Sequence, residues 1–234
     1  KVNLLAENFE FLGHISTPNG LKPSPRSVEA LTHMPIPGTG AGREPKKQLR
    51  SFLGLASWVR RYIPNFCRIV EPLRRLTEND TKFQWDEDCQ KAWDIVIQAA
   101  SETRGVYHPD YSLPFHIRTD ASADGSGAYL FQIVEVEEAG KKRKEEHVIE
   151  YWSRSCPAAM RRYETRRLEL MAIILALEHF RMIIEGHRVR LQTDHRNLTF
   201  LRDNKSSTGK ARWAMRLDEF SFELDYCPGS STAM

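Results

Sequence analysis

"HIRTDASADGSGAYL", residues 116–130, decides how this chain is read. The first residues alternate apolar and polar character, as a half-buried strand does, and Asp120 closes that run. Small residues and two glycines, Gly125 and Gly127, follow before the apolar segment resumes. Taken alone, Asp120 is an aspartate where a strand gives way to a turn. Its meaning depends on which other acids the fold brings to it.

Working outward, "GAYLFQIVEVEE" continues as a strand, "AGKKRKEEH" reads as a charged turn, and "VIEYWSRS" returns as a third strand. After a loop at "CPAAMRRY", the segment "ETRRLELMAIILALEHFRMII" is apolar nearly all round, as expected of a helix packed against a sheet. Gly186 stops it, "HRVRLQTD" alternates as a strand ending in Asp194, and "HRNLTFL" opens a short helix. The order β-β-β-α-β-α predicts an α/β (α+β) unit: a mixed sheet with helices on it.

That order places the acids. If the 115–120 and 188–194 strands are neighbours joined by a helical crossover, they run parallel, and Asp120 and Asp194 share one end of the sheet. Glu169, near the start of the crossover helix, then faces both. Three converging carboxylates repel one another unless a cation sits among them, and hard oxygen ligands suit a divalent metal. Each acid has a plainer alternative. Glu169 is otherwise a polar helix residue, uncomfortable between Leu168 and Leu170, and Asp194 is otherwise the cap of the helix that follows it. The two glycines serve either close strand packing or substrate approach.

The first half is different in kind. "FEFLGHISTPNG" reads as strand, turn and strand, and "SPRSVEALTHM" as a short helix capped by Ser24 with Pro25 at its first position. "PIPGTGAGREP" is a loop. "KKQLRSFLGLASWVRRYI" carries Leu49, Phe52, Leu53, Ala56, Val59 and Ile63 at helical spacing and halts at Pro64. "NFCRIVEPLRRLT" predicts another short helix, and "DEDCQKAWDIVIQAAS" a helix with acids in its first turn, where the helix dipole favours them.

With 234 residues, 41% hydrophobic and 28% charged, the chain is long enough for one large or two small cores. No apolar run reaches the roughly 18–20 residues of a membrane helix, and the N-terminal segment has no signal-peptide pattern. The first residue is Lys1, so a piece of a longer protein is expected. Cys67, Cys89, Cys156 and Cys227 lie far apart without a CxxC pair, which argues against a zinc site and for reduced thiols in an intracellular, reducing compartment. Net charge is only +3, but cations cluster at Arg60-Arg61, Arg74-Arg75, Lys141-Lys142-Arg143-Lys144, Arg161-Arg162 and Arg166-Arg167. Such clusters point to nucleic acid or, one by one, to solvated helix faces and loop tips.

Together the motifs resemble the Pol polyprotein of gypsy-type LTR retrotransposons, from the reverse transcriptase thumb through the ribonuclease H region. "FLGHIS", "LRSFLGLASWVRRYIPNF", "PLRRLT", "TDAS", "YWSR", "LELMAI", "ALEHFR", "TDHRNL" and "ARWAMRL" occur in the family's order and spacing across almost the whole chain. The resemblance implies that residues 1–22 end the polymerase palm, 23–105 form thumb and connecting helices, and 106–234 form a ribonuclease H-like domain. It implies that Asp120, Glu169 and Asp194 are catalytic and hold two Mg²⁺ ions, with Mn²⁺ as a substitute. The reaction implied is endonucleolytic hydrolysis of the RNA strand of an RNA-DNA hybrid. Arg60, Arg61, Arg74, Arg75, Arg166, Arg167, His195 and Arg196 are the candidate nucleic-acid contacts.

The chain departs from the family pattern in two places. A fourth carboxylate is expected a few residues beyond Pro228-Gly229, past the terminal "SSTAM", and "TRRLE" puts Arg167 where the family commonly has an acid. The "Y.DD" polymerase motif is absent, so no polymerase activity is expected of this chain alone. Three readings therefore stand: a metal-dependent ribonuclease within a Pol polyprotein, a domesticated inactive subunit of a larger protein or RNA assembly, and a nucleic-acid-binding module without catalysis.

Overall fold

The computed structural model describes residues 6–39, 44–122, 124–138, 140–157, 160, 163–193 and 215–226. The chain divides into two compact units, Lys1–His108 and Pro109–Met234.

In the first unit, β1 (Phe9–Phe11), β2 (His14–Thr17), β3 (Gly20–Pro23) and β4 (Val106–Tyr107) form an antiparallel sheet in that order. Its described residues also form the helices α1 (Pro25–Thr32), α2 (Pro45–Val59), α3 (Phe66–Ile69), α4 (Glu71–Leu76) and α5 (Glu87–Glu102). Ser24 caps α1 by accepting the Ser27 N–H, with Pro25 pre-set in the first turn. Asp86 caps α5 by accepting the Cys89 N–H at 2.8 Å. The apolar stripe of α2 buries Leu49, Phe52, Ala56 and Val59, and Phe52 stacks on Trp93 of α5 with ring centroids 3.6 Å apart.

Two boundaries differ from expectation. The α-helix of α2 ends at Val59 and a 3-10 turn, Arg60–Tyr62, finishes the segment, because Pro64 holds Ile63 in extended backbone. The segment 65–77 is two helices rather than one. Pro72 has no N–H to continue α3, so the chain restarts as α4 with the proline in its first turn.

The second unit contains β5 (Phe115–Ala121), β6 (Gly125–Glu138), β7 (Lys141–Ser155), α6 (Thr165–Ile184), β8 (Val189–Thr193) and β9 (Phe222–Tyr226). Its sheet has the order β7-β6-β5-β8-β9. The hairpins β5-β6 and β6-β7 are antiparallel, whereas β8 runs parallel to β5 and β9 parallel to β8. This is the mixed sheet the pattern predicts. Helix α6 packs on it through Ile173, Leu177, Phe180 and Ile184, against Phe115, Ile117, Leu130 and Leu191. Burying each such side chain contributes about 1.5–3 kcal/mol.

The charged segment expected to be a turn is strand. Reversal occurs around Gly140 (φ 76°), and the flanking charges pair across the ribbon as Glu135 opposite Lys144, Glu137 opposite Lys142 and Glu138 opposite Lys141. Opposite charges directly across strands stabilise the ladder, so "GKKRKEEH" extends β7 rather than interrupting it. β9 was not foreseen either. It is held by a helical turn at 215–218 whose Leu217 enters the core, while Arg216 donates to both carboxylate oxygens of Glu178 on α6 at 2.7 and 2.6 Å. Among the described residues no helix is long and apolar enough to cross a membrane.

Candidate functional site

The sheet register fixes where the acids stand. β5 pairs with β8 from Phe115 opposite Val189 to Arg118 opposite Gln192, so both strands run toward the same end of the sheet. Asp120 lies at that end, opposite Gly127 of β6, and is exposed. The far end of β7, Ser155, pairs with Gly125 beside it. Helix α6 leaves from this end, after the loop that follows β7, and delivers the chain to the start of β8 at the other. The first turns of α6, with Glu169, therefore lie at the end of the sheet where β5 finishes in Asp120.

Helical phase sets the direction of Glu169. It sits one turn before Ile173 and continues the stripe Ile173, Ala176, Phe180 and Ile184 that packs on the sheet. The stripe is apolar along the sheet and ends in a carboxylate where the sheet runs out. One of its oxygens, Oε2, is buried. Asp120 and Glu169, almost fifty residues apart in sequence, thus stand on elements that share one end of the sheet.

The backbone around Asp120 is tightly built. Ser122 N–H donates to the Gly125 carbonyl at 2.9 Å, and Cys156 N–H to the Asp124 carbonyl at 2.9 Å, so the turn after β5 is stitched to the end of β7. A side chain at Gly125 would bring a Cβ to 2.8 Å from the Arg154 carbonyl, which favours the close-packing role for this glycine.

Arg118, two residues before Asp120 on the same face of β5, was not singled out by the sequence. Its Nε donates to Gln192 at 3.0 Å and its Nη2 to Glu146 at 3.0 Å, with its guanidinium 5.2 Å from the Phe131 ring centroid. Tyr129 shares Glu146 at 3.2 Å and also meets Arg118; burial pushes its phenol well above the usual range. Arg118 is thus committed to β6, β7 and β8. The alternation of "HIRTD" was the available signal, since it puts residues 116, 118 and 120 on one face.

The remaining candidates separate. Asp194, His195 and Arg196 lie outside the described residues. Arg166 and Arg167 are exposed at the start of α6, and the Arg167 guanidinium lies 4.0 Å over the Tyr163 ring. In the first unit Arg60 is exposed, while the charge of Arg61 joins burial in holding His14 below the usual histidine value. Arg74 and Arg75 both turn to Glu71. Arg74 grips it bidentately at 2.8 and 2.9 Å and Arg75 adds a third bond at 3.1 Å. Burial pulls the Glu71 carboxyl up, but these bonds and charges outweigh it and hold the group below its ordinary value. Among the described residues no three His, Cys, Asp or Glu side chains are grouped to hold a metal.

Residues 110–220 match the RNase H-like domain found in reverse transcriptase. That segment belongs to this family. Relatives of the whole chain are transposon Pol polyproteins. The chain is 31% identical over 247 residues to the retrovirus-related Pol polyprotein from transposon opus of Drosophila melanogaster, covering 100% of the chain and 23% of that protein. It is 32% identical over 240 residues to that from transposon 297, covering 100% of the chain and 21% of the relative. The Tf2-3 transposon polyprotein of Schizosaccharomyces pombe is 28% identical over 227 residues, covering 95% of the chain and 16% of the polyprotein. The chain thus spans less than a quarter of the length of these relatives.

The fold is shared with foamy viral protease-reverse transcriptase, solved in complex with an RNA/DNA hybrid. That likeness has a TM-score of 0.71 at 18% identity, over 96% of this chain and 30% of the viral one. A second foamy viral structure, in complex with double-stranded DNA, gives a TM-score of 0.71 over 96% of this chain and 38% of that chain. The RNase H-like domain therefore carries Asp120 at the end of its first strand and Glu169 on its crossover helix, within the fold of a reverse transcriptase.

Proposed function

We propose that the RNase H-like domain hydrolyses the RNA strand of RNA-DNA hybrids as part of a retrotransposon Pol polyprotein. What supports this reading is the place of two acids in an RNase H-like domain: Asp120 exposed at the end of β5, and Glu169 in the early turns of the crossover helix. The donors suit a hard divalent cation. Both are carboxylates, Asp120 is open to water and phosphate, and the nearest arginine in its strand is committed to other partners.

Asp120, Glu169 and Asp194 would hold the metal. Bound there, a pair of Mg²⁺ ions, or Mn²⁺ in their place, supplies an activated water and stabilises the leaving oxygen. The chain's own residues do the rest. The stitched turn after β5 fixes the Asp120 backbone, and the packed stripe of α6 fixes Glu169. Arg166 and Arg167 grip substrate phosphates, while His195 and Arg196 act beside Asp194. Arg60 and Arg61 track the duplex backbone, with Arg74 and Arg75 lending only the N–H groups that Glu71 leaves free. Phosphate contacts hold the hybrid, and the 2'-hydroxyl marks the strand to be cut.

The test is cleavage of an end-labelled RNA-DNA hybrid by the full chain, and by the chain lengthened at its C-terminus to add a fourth carboxylate, in Mg²⁺ and in Mn²⁺. Cleavage of the RNA strand that disappears in Asp120→Asn supports the reading. Absence of cleavage by both folded proteins overturns it and leaves a retroelement fold retained as a structural or binding subunit.

A further inference from the structure

The first unit holds a cleft of about 170 Å³ on one face of its small sheet, lined by Thr17, Gly20, Lys22, Arg104, Gly105 and Tyr107 among others. Two glycines make it. A Cβ at Gly20 would lie 1.9 Å from the Val106 carbonyl oxygen. At Gly105, whose φ is +90°, a Cβ would lie 2.3 Å from the Leu21 carbonyl oxygen and 2.7 Å from Cγ of Lys22. Strands β3 and β4 can therefore close up only over bare backbone, and the aliphatic stem of Lys22 lies across Gly105. The pairing of Gly20 with Tyr107 sets the tyrosine on the same face as Lys22.

This geometry leaves two cations in one small space. Lys22 and Arg104 are both exposed, no carboxylate lines the cleft, and neither side chain has an ion-pair partner among the described residues. Arg74 and Arg75 in the same unit, by contrast, close on the carboxylate of Glu71. Two like charges sharing a cleft favour an anion between them. At about 170 Å³ the space falls short of the roughly 300 Å³ of a drug-sized pocket, so it suits a phosphate group rather than a whole nucleotide. Tyr107, 36% exposed, offers an aromatic face to the sugar or base attached to it.

We propose that this cleft binds a phosphate group, with Lys22 and Arg104 as its charge partners and the bare backbone at Gly20 and Gly105 as its floor. It uses no residue of the proposed hydrolysis and does not depend on it. The phosphate belongs either to a nucleic-acid strand or to a free nucleotide, and two arms of one experiment tell these apart. In the first arm, a fluorescein-labelled RNA-DNA hybrid is bound to the full chain across a salt series. The double variant K22A/R104A is expected to weaken binding about five- to tenfold and to reduce the slope of log affinity against log salt by about one, with K22R/R104K restoring both. In the second arm, inorganic phosphate and AMP are titrated while the backbone amides of Gly20 and Gly105 are followed by NMR. Shifts in the wild type that vanish in K22A/R104A, with hybrid affinity unchanged, assign the cleft to a free nucleotide phosphate. Arg26→Ala, an exposed arginine on α1, controls for loss of charge alone, and matching thermal melts qualify each variant. Hybrid affinity, salt slope and amide shifts all unaffected by K22A/R104A overturn the proposal.

Discussion

Two groups of carboxylates in this molecule are handled in opposite ways. Glu71, with a side chain only 7% exposed, is met by Arg74 and Arg75 from the next turn of its own helix, so the cations come from three and four residues away. Asp120 and Glu169 come instead from a strand end and a crossover helix, and only the completed fold sets those two elements side by side. A locally neutralised acid is a structural device, because it needs nothing beyond its helix. Acids carried by distant elements to one sheet end are what the proposed site is built from, since carboxylates brought together repel one another unless a cation joins them.

After Asp120, the largest effect on this contrast is expected at Glu169. Glu169→Gln is expected to lower hybrid cleavage by about a hundredfold or more while leaving the melting temperature unchanged or raised, since it removes a charge and keeps the shape. A large loss of stability with activity retained would make Glu169 a structural residue like Glu71.

Glu71 should behave in the reverse manner. Glu71→Ala is expected to destabilise the first unit by about 2 kcal/mol in denaturant unfolding. The cost stays below that of a fully buried pair because Arg74 and Arg75 are 36% and 57% exposed and can rehydrate. The carboxyl lies below its ordinary value of 4.5 in the folded state, so its stabilisation is fully present above that pH and is lost as pH falls through the lower folded value. Glu71→Gln should flatten the acid limb of the stability profile below about pH 4.5. An unchanged acid limb contradicts the clamp.

The smallest effect belongs to the charged ribbon. Arg143 meets Glu138 at 3.7 Å and Glu145 at 3.5 Å with its own side chain 62% exposed. Arg143→Ala should cost less than about 0.5 kcal/mol. A cost of several times that would mean the ribbon supports the sheet core.

Much of this contrast was legible in the sequence, for reasons that differ from residue to residue. The alternation of 115–120 and the apolar girth of 165–184 fix strand and helix, and a parallel β5-β8 pair follows from the crossover between them. Helical phase then brings Glu169 onto the sheet-facing stripe. The ribbon was misread because four consecutive cations look like a solvated turn until their acidic partners are seen across the strand. β9 carried a readable signal, since "FELDY" alternates apolar and polar residues as a half-buried strand does, but five residues beyond the expected last helix are a short run for it. Arg74 and Arg75 stood out as charge, whereas the acid that claims them is one turn away and visible only in helical register. Lys22 and Arg104 lie 82 residues apart and meet only because two glycines let β3 and β4 close. Asp194, His195 and Arg196 fall outside the described residues, so the third arm of the site rests on resemblance.

The central claim is that the sheet end carrying Asp120 and Glu169 is a working hydrolytic site. It is tested by the rate of RNA-strand cleavage in a labelled hybrid with Mg²⁺, for the full chain and for the chain lengthened to add a fourth carboxylate, beside Asp120→Asn in each. Cleavage is expected in the wild type, with a loss of about a thousandfold in the variant and equal melting temperatures. Equal rates in wild type and Asp120→Asn, or no cleavage by either folded wild-type protein, would contradict it.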